Sequence, residues 1–561
     1  MDPKADQSES FGATTEASIV TREPPGLTLG RLSLFHTLYI RYTNTYMTTL
    51  SRRLLLLTVF ITGAAVLVFE VGAMRLLAPY YGSSLTVVSS VLSIILLALS
   101  LGYYFGGRLA DRAPHLSLLM LIIGSAGVLM LGLLYTALFL LPSVAPALGQ
   151  STGPLIISAV IFFLPACLLG ADSPFVSKLL ASGTDSEGAV VGTVFFLSTI
   201  GSIIGSLAAG FYLIPSFGLS TTLALTGLVL VLWSMGVLCL VGYKNNNLTL
   251  QTLVLAGTMI CIAILIAVVS IKTPPHSRGK LIYQQDGLYS QLTVFEEEFR
   301  GTTYRFLKND SNYSSAIIPG SSEMAFPYAE LALSYRDMVP SASSYLVLGG
   351  GAFTIPRHIH LDNPTITIDT VELEPYLLPL AEKYFELPTS SLLRNHTIDA
   401  RVFLEQATTT YDVIFSDVMN SGLFIPPHLL TKEFFQSLKR SLAPGGVAYL
   451  NYIGSLDTYG TSMTGSLIKT LSSVFPNYAL VPMTSTTEKK LQNIMIVVRH
   501  DNAPILFSPD TRIQNRLYSY DYPVRDHLTS IPADTLTDEV VFTDNRPGME
   551  PLLAKQFRLH N

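Results

Sequence analysis

Three consecutive glycines, Gly349, Gly350 and Gly351, and a later carboxylate, Glu372, have the residue types and spacing of a nucleoside site. Glycines at a strand-to-helix turn let the backbone approach a ligand closely, and the helix N-terminus behind them favours anionic or polar groups. An acid about twenty residues further on is suited to bind both hydroxyls of a ribose. The pattern predicts a nucleoside-binding turn, with an ordinary tight turn and a solvated acid as the alternative.

Two further carboxylates, Asp399 and Asp417, lie in or at the end of later predicted strands. Ligands of parallel sheets bind at the carboxyl ends of the strands, so both side chains are candidates for the same site. Asp399 is suited to accept a hydrogen bond from an adenine amine, and Asp417 to take a proton from an attacking amine. The alternative for Asp417 is a helix cap or a loop acid. Asp369 and Asp412 lie within strands, and we interpret them as structural or solvated.

The elements that must position these residues alternate between strands and helices. This alternation predicts a parallel sheet with helices on both faces and a hairpin of the last two strands at its edge. The predicted strands are 345–349, 365–373, 396–401, 411–417, 446–453, 478–484 and 492–499, and the predicted helices are 325–335, 375–386, 431–442 and 461–474. A small antiparallel sheet is predicted over 281–320, ahead of a main domain over 321–561.

The N-terminal half has the composition of a membrane protein. The 561-residue chain is 49% hydrophobic and 13% charged, its mean hydropathy is +0.43, and charges are scarce between Leu54 and Ile271. The apolar runs long enough to cross a bilayer lie near 54–78, 86–107, 116–142, 154–180, 188–213, 219–242 and 249–271. They predict a transmembrane domain of about seven helices over 49–272, in contact with the lipid bilayer, after a disordered polar tail over 1–48.

Three charged residues inside these runs, Glu70, Arg75 and Asp172, are costly in lipid and often functional in such positions. Their structural alternatives are that Glu70 pairs with a basic partner to lock the bundle, and that Asp172 caps a helix broken by Pro174.

Basic residues in the short loops argue for a cytoplasmic N-terminus. They are Arg52, Arg53, Arg108, Arg112, Lys178 and Lys244. An odd number of spans then places the C-terminal domain outside the cytoplasm, whereas Lys272, Arg278 and Lys280 favour the opposite side. The sequence leaves the side open.

Charge and cysteine content argue against other classes of protein. The net charge of -5 shows no basic excess, so nucleic acid is not a favoured partner. Cys167, Cys239 and Cys261 lie in apolar runs with neither a disulfide framework nor zinc spacing, so no metal is expected. Whether the chain forms a homo-oligomer is left open.

From about 281 to 500 the chain resembles the spermidine synthase, or polyamine aminopropyltransferase, family. The matching motifs are Tyr289-Ser-Gln-Leu-Thr-Val294, the Leu-Val-Leu-Gly-Gly-Gly turn, Val371-Glu372, Asp399-Ala-Arg401 and Asp412-Val-Ile-Phe-Ser-Asp417. With its multi-span N-terminal half, the chain resembles the bacterial fused membrane–spermidine synthase proteins. This resemblance implies the bacterial inner membrane and a Rossmann-like sheet of the class I methyltransferase type.

The resemblance also implies an activity, the transfer of an aminopropyl group from decarboxylated S-adenosylmethionine, as co-substrate, to a small-molecule amine. If the roles of the family residues apply to this sequence, Glu372 would hold the ribose and Asp399 would hold the adenine. Asp417 would take the proton from the attacking amine. The resemblance further implies that Gln291 binds the donor and that Tyr289 and Asn420 bind the acceptor.

Two departures from the family pattern remove carboxylates. Ala352 stands where the family has an Asp for the donor's amine, and Asn420 where it has an Asp for the acceptor. Unpaired buried ammonium groups are costly, so a different acceptor is expected, and S-adenosylmethionine itself is an alternative donor. The alternative function is a transporter or sensor whose soluble domain is a diverged nucleoside-binding module. A nicotinamide dehydrogenase is disfavoured by Phe353 and Thr354, which follow the glycines.

Overall fold

The computed structural model of the chain describes residues 49–81, 85–148, 152–181, 186–244, 257, 264, 279–310, 312–419, 425–456, 461–486, 490–501, 503–515, 517, 520–546, 549, 551–553 and 555–556. The predicted tail 1–48, nearly all of the predicted seventh membrane run 249–271, and Asn420 lie outside these residues. The chain divides into two compact units, Met1–Arg52 and Arg53–Asn561. Of the first unit, only residues 49–52 are described.

Long apolar helices make up the N-terminal half of the second unit. By length and composition, five described helices are able to cross a membrane: Leu50–Tyr81, Leu85–Arg112, Phe163–Ala181, Glu187–Phe217 and Leu219–Val241. A further apolar helix, Leu116–Val144, follows the second of these. The predicted multi-pass helical architecture is therefore confirmed as a bundle of apolar helices.

The fourth predicted run, 154–180, is interrupted at Phe162 and Ala171, and its last two segments together make the apolar span Phe163–Ala181. The structure has three successive helices there, Gly153–Ile161, Phe163–Gly170 and Asp172–Ala181. The last two each begin just before a proline, Pro165 or Pro174. Proline is tolerated in the first turn of a helix and breaks a helix interior, so each proline sets a new start.

Small residues bring the first helix into backbone contact with the helix Glu187–Phe217. A Cβ atom at Gly63, Gly201 or Gly205 would collide with a backbone oxygen of the facing helix. Such close approach is a common means of packing helices in a membrane, where apolar side chains gain little from leaving lipid.

A four-stranded antiparallel sheet, β1-β2-β3-β4 in order, follows the bundle. Its strands are β1 Lys280–Asp286, β2 Gln291–Phe299, β3 Thr302–Asn309 and β4 Asn312–Ile317. The sequence predicts the first three. The fourth was missed because its polar start, Asn-Tyr-Ser-Ser, hides the alternation typical of a strand.

The main sheet has seven strands in the order β10-β11-β9-β8-β5-β6-β7. They are β5 Ser344–Leu348, β6 Thr367–Val371, β7 Leu393–His396, β8 Tyr411–Ser416, β9 Leu442–Gly454, β10 Tyr478–Pro482 and β11 Gln492–Arg499. Strands β5 to β9 pair in parallel, and β11 and β10 are antiparallel at the edge. This is the predicted Rossmann-like sheet of the class I methyltransferase type, with its edge hairpin.

Helices follow the parallel strands and cover the sheet. They are Thr354–Asp362, Leu377–Tyr384, Ala400–Gln406, Lys432–Ser441 and Met463–Ser472. Successive residues of a strand point to opposite faces. In β5, Leu346 and Leu348 therefore join one apolar cluster, while Tyr345 and Val347 join another on the other face.

The third predicted strand, 396–401, was placed too late. The structure ends β7 at His396 and begins a helix at Ala400. Asp399 decides this boundary, because its side chain accepts hydrogen bonds from the backbone N–H groups of Arg401 and Val402. A carboxylate in this N-cap position stabilises the first turn of a helix.

Candidate active site

A cavity of about 530 Å³ lies at the carboxyl ends of the central parallel strands. Its wall includes Gly349 to Gly351, the residues after β6 and β8, the strand β4, and one end of the edge hairpin. Three of the predicted carboxylates, Glu372, Asp399 and Asp417, line this one space. The cavity is where the sheet topology places a ligand.

The glycine turn brings β5 and β8 together at the base of the cavity. Gly349 has a φ of 88°, in the left-handed region. A Cβ atom at this position would also collide with the carbonyl oxygen of Asp417. The turn therefore requires glycine both for its backbone conformation and for the close approach of the strand that carries Asp417.

Glu372 is fixed beside the turn by backbone donors. Its Oε2 accepts hydrogen bonds from the N–H groups of Gly350 and Gly351, at 2.9 and 3.0 Å. Its Oε1 accepts one from the N–H of Glu374, at 2.9 Å. Burial raises the pKa of Glu372 above its usual range, and these donors oppose the rise because they favour the ionised form. The carboxylate thus has a defined position next to the predicted nucleoside-binding backbone.

Asp417 is a partly buried carboxylate held by two neutral donors. The hydroxyl of Tyr328 donates to Oδ2 at 2.9 Å, and the amide of Asn451 donates to Oδ1 at 2.7 Å. The amide of Asn493 donates in turn to Oδ1 of Asn451, at 3.0 Å. Burial raises the pKa of Asp417, while the two donors oppose the rise. A carboxylate with a raised pKa has a higher proton affinity, which suits a general base.

Asp399 lies in the cavity wall as well as capping its helix. Its Oδ2 lies 3.1 Å from Nε2 of His428. The hydrogen bond from His428 and the backbone donors of the helix hold the pKa of Asp399 below its usual value. Asp399 is therefore ionised at neutral pH and can accept a hydrogen bond from a ligand donor such as an adenine amine.

The structure does not bring Gln291 and Tyr289 to the cavity wall. The amide of Gln291 donates to Asp286 at 2.8 Å and accepts from Gln284 at 2.9 Å. The side chain of Tyr289 is exposed. Their predicted roles remain predictions, as does that of Asn420, which lies outside the described residues.

Ala352 also lies away from the cavity surface. It is buried in an apolar cluster with Leu292, Leu307 and Leu377, and its N–H donates to the Ser315 hydroxyl at 3.0 Å. The described side chains nearest the third glycine are instead the hydroxyls of Ser314 and Ser315. Apart from Glu372, which accepts from the N–H of Gly351, this part of the wall is polar and uncharged.

Sequence reasoning missed the two donors to Asp417 and the residue that supports one of them. Tyr328 lies in the short helix Pro327–Glu330, Asn451 in the apolar strand β9, and Asn493 in β11. A usable signal existed for Asn451, because a buried amide inside an apolar strand needs a polar partner. Tyr328 had no comparable signal, since its approach to Asp417 depends on tertiary structure.

The arrangement can bind a nucleoside and remove a proton from a nearby amine. Glu372 and Asp399 offer acceptors at one side of the glycine turn, and Asp417 offers a base at the other. Among the described residues, no group of three or more His, Cys, Asp or Glu side chains is arranged to hold a metal ion.

Curated proteins are similar to this chain in sequence. The polyamine aminopropyltransferase of Vibrio vulnificus (strain CMCP6) is 31% identical over 205 residues, which cover 35% of this chain and 68% of that protein. Polyamine aminopropyltransferase 2 of Streptomyces coelicolor is 28% identical over 417 residues, which cover 70% of this chain and 73% of that protein. This second match is longer than the part of the chain after the helical half, so it extends into the apolar helices.

Solved structures are also similar to this chain, over somewhat less than half of its length. A probable spermidine synthase from Corynebacterium glutamicum ATCC 13032 has 22% sequence identity, covers 48% of this chain and 97% of its own, and has a TM-score of 0.39. A spermidine synthase in complex with the transition-state analogue AdoDATO has 19% identity, covers 44% of this chain and 83% of its own, and has a TM-score of 0.35. No protein-family model matches the chain.

Proposed function

The chain belongs to the polyamine aminopropyltransferase family and is a transferase, and from this premise we propose that it transfers an aminopropyl group from decarboxylated S-adenosylmethionine to an amine. The observation that carries this proposal is Asp417. It is a partly buried base, with defined hydrogen-bond partners, in the same cavity as the glycine turn and Glu372.

Glu372 and Asp399 hold the nucleoside in this proposal. Glu372 is positioned by three backbone N–H groups, and its remaining lone pairs are suited to the ribose hydroxyls. Asp399 accepts from the adenine amine. Fixing the nucleoside orients the donor's sulfonium carbon for in-line attack, which provides most of the catalysis that such a leaving group needs.

Asp417 acts on the acceptor. The amine nitrogen attacks the methylene carbon bound to the sulfonium, a C–N bond forms, and the C–S bond breaks. The sulfur keeps the electron pair and leaves as neutral methylthioadenosine. Asp417 takes the proton that the amine nitrogen must lose, and Tyr328 and Asn451 keep the carboxylate in place during this transfer.

The proposed acceptor differs from a long polyamine. Besides Asn451, which donates to Asp417, the cavity wall includes the amide Asn493 and the apolar side chains of Met483 and Leu491. A second ammonium group of a diamine would find no carboxylate among these described residues, and an unpaired buried charge is costly. We therefore expect an amine whose remainder is uncharged.

Anchoring in a lipid bilayer is part of the proposal. The five long apolar helices support it by length and composition. Relatives support it too, since the Streptomyces coelicolor match extends into this half of the chain. The bacterial inner membrane is the expected location.

The test compares turnover and donor affinity between the unchanged full-length protein and its Asp417→Asn variant. Loss of the base is expected to lower turnover about 100- to 10,000-fold and to leave donor affinity unchanged. The matched control is Asp412→Asn, a residue of the same strand that binds the N–H groups of Ser343 and Ser344 instead of lining the cavity. Equal turnover of Asp417→Asn and the unchanged protein would contradict the proposal.

A further inference from the structure

Two membrane helices hold the turn between β1 and β2. The guanidinium of Arg75, in the first helix, donates to the carbonyl oxygen of Gly287 at 2.6 Å. The carboxylate of Asp286 accepts from the N–H of Leu219 at 2.8 Å, at the start of the helix Leu219–Lys244. The turn is therefore fixed to the bundle from both sides.

The same turn contacts a buried carboxylate of the region after residue 279, which holds the proposed active site and is called the catalytic domain. The N–H of Tyr289 donates to Oε2 of Glu374 at 2.9 Å. A Cβ atom at Gly287 would collide with this Oε2, so the turn packs directly on the Glu374 carboxylate. Glu374 is only 4% exposed, and its position depends on the position of the turn.

Glu374 connects the turn to the cavity. Its backbone N–H donates to Oε1 of Glu372, whose Oε2 accepts from Gly350 and Gly351. The path from Arg75 through Gly287, Tyr289 and Glu374 to Glu372 is thus continuous. It joins a membrane helix to the carboxylate assigned to the ribose.

One energetic cost along this path favours a role beyond simple docking. It does not lie at Arg75, where the bond to Gly287 offsets the cost of an arginine in a long apolar helix. In the part of the chain that the structure describes, Oε1 of Glu374 is buried without a hydrogen-bond partner. A buried carboxylate oxygen left unpaired costs free energy, so the residue is poorly explained by stability alone.

We propose that Arg75 is a positioning residue, which sets the orientation of Glu372 through the β1–β2 turn and Glu374. This inference rests on the proposed function, because it takes Glu372 as the nucleoside-binding carboxylate. The membrane bundle then contributes to substrate binding, and the catalytic domain depends on the bundle for full donor affinity.

The test is the dissociation constant of methylthioadenosine, measured by calorimetry on the full-length protein in detergent. Arg75→Gln is expected to weaken binding about tenfold, which corresponds to about 1.4 kcal/mol. Arg75→Lys, which keeps a charged donor, is expected to recover part of this loss. The matched control is Arg108→Gln, because Arg108 lies over the ring of Tyr104 and is expected to leave binding unchanged.

Glu374→Ala tests the same path from the cavity side and remains informative if Arg75→Gln yields no folded protein. In the double variant, we expect less weakening than the product of the two single effects, since both changes break one path. Equal binding by Arg75→Gln and the unchanged protein overturns this inference alone. Absence of binding by the unchanged protein overturns the proposed function, and the inference with it.

Discussion

At Asp417, burial and hydrogen bonding act on the pKa in opposite directions. Burial raises the pKa, and the donors Asn451 and Tyr328 lower it because they stabilise the ionised carboxylate. As a base, Asp417 must be ionised before the amine binds, so turnover should fall as the pH falls through its pKa. That acid limb should lie above the ordinary range of an aspartate, which is about 3.9.

Replacing Tyr328 by Phe should move the acid limb of the pH–rate profile to higher pH. The change removes a donor that favours the ionised carboxylate, so the pKa of Asp417 rises further and more of the base is protonated at a given pH. The measurement is kcat/KM for the amine across the pH range. Amine ionisation affects both proteins alike, so the shift between the two profiles reports on Asp417.

Tyr335→Phe provides the matched control for this shift. Tyr335 is buried near Tyr328 in the chain, and its hydroxyl has no hydrogen-bond partner among the described residues. Its removal should leave the profile unchanged. An unshifted profile for Tyr328→Phe would contradict the role given to Asp417.

Sequence patterns were enough to bring three carboxylates together as candidates, and their roles stay predictions. Glu372, Asp399 and Asp417 line one cavity, and they were chosen because strand ends and the spacing from a glycine turn are local patterns. Tyr328 and Asn451 were missed because their contacts with Asp417 join segments far apart in the chain.

At the level of elements, the glycine turn sets the distance between β5 and β8. Gly349→Ala should destabilise the protein by more than the about 1–2 kcal/mol expected for an L-residue in the left-handed region. The excess arises because the new Cβ atom collides with the carbonyl oxygen of Asp417. Thermal unfolding and nucleoside binding of the full-length protein measure both effects.

Gly301→Ala separates the two causes of lost stability, which are backbone strain and the collision of the new Cβ atom. Gly301 has a φ of 78°, close to that of Gly349, but a Cβ atom there would meet nothing within 4 Å. Its substitution should show the backbone strain alone and leave nucleoside binding intact. If both variants lost the same stability, the close approach of β5 and β8 would not explain the glycine.

Element boundaries were predictable where hydrophobic pattern and capping agree. Most strands of the main sheet lie within a few residues of their predicted positions, since their apolar runs are bounded by turns. The strand β7 was misplaced because Ile398 and Ala400 extend its apolar pattern, whereas the capping bonds of Asp399 begin a helix there. Capping overrides hydrophobic pattern at such a boundary.

At the level of the whole molecule, the catalytic domain meets one end of the helical bundle. The contacts of Arg75 and Leu219 with the β1–β2 turn lie at the end of the first helix and the start of Leu219–Lys244. The bundle end opposite to these contacts carries basic residues: Arg112, Lys178 and Lys244. Lys178 pairs there with Asp111 at 2.8 Å. The sequence could not predict these docking contacts, because each joins residues of separate halves.

The distribution of basic residues predicts that the catalytic domain faces away from the cytoplasm. Basic residues in short loops favour the cytoplasmic side, and those of the described loops lie at the bundle end distant from the domain. Labelling with a membrane-impermeant maleimide tests on which side the domain lies. The labelled variants would be made in a protein whose native cysteines are replaced by alanine. Leu506→Cys, exposed on the catalytic domain, should be labelled in intact spheroplasts, and Ala113→Cys only after lysis.

The reverse labelling pattern would place the domain in the cytoplasm. It would mean that Lys272, Arg278 and Lys280, which follow the last apolar run in the sequence, determine the orientation instead. With the expected pattern, the nucleoside donor must be supplied on the outer face.

The central claim is aminopropyl transfer at Asp417, and mass spectrometry of products tests it most directly. Purified full-length protein would be supplied with decarboxylated S-adenosylmethionine or S-adenosylmethionine, and with a panel of monoamines and diamines. We predict methylthioadenosine together with an aminopropylated amine from the decarboxylated donor, with both lost in Asp417→Asn. A methylated amine with S-adenosylhomocysteine, or no product from either donor, would contradict the account.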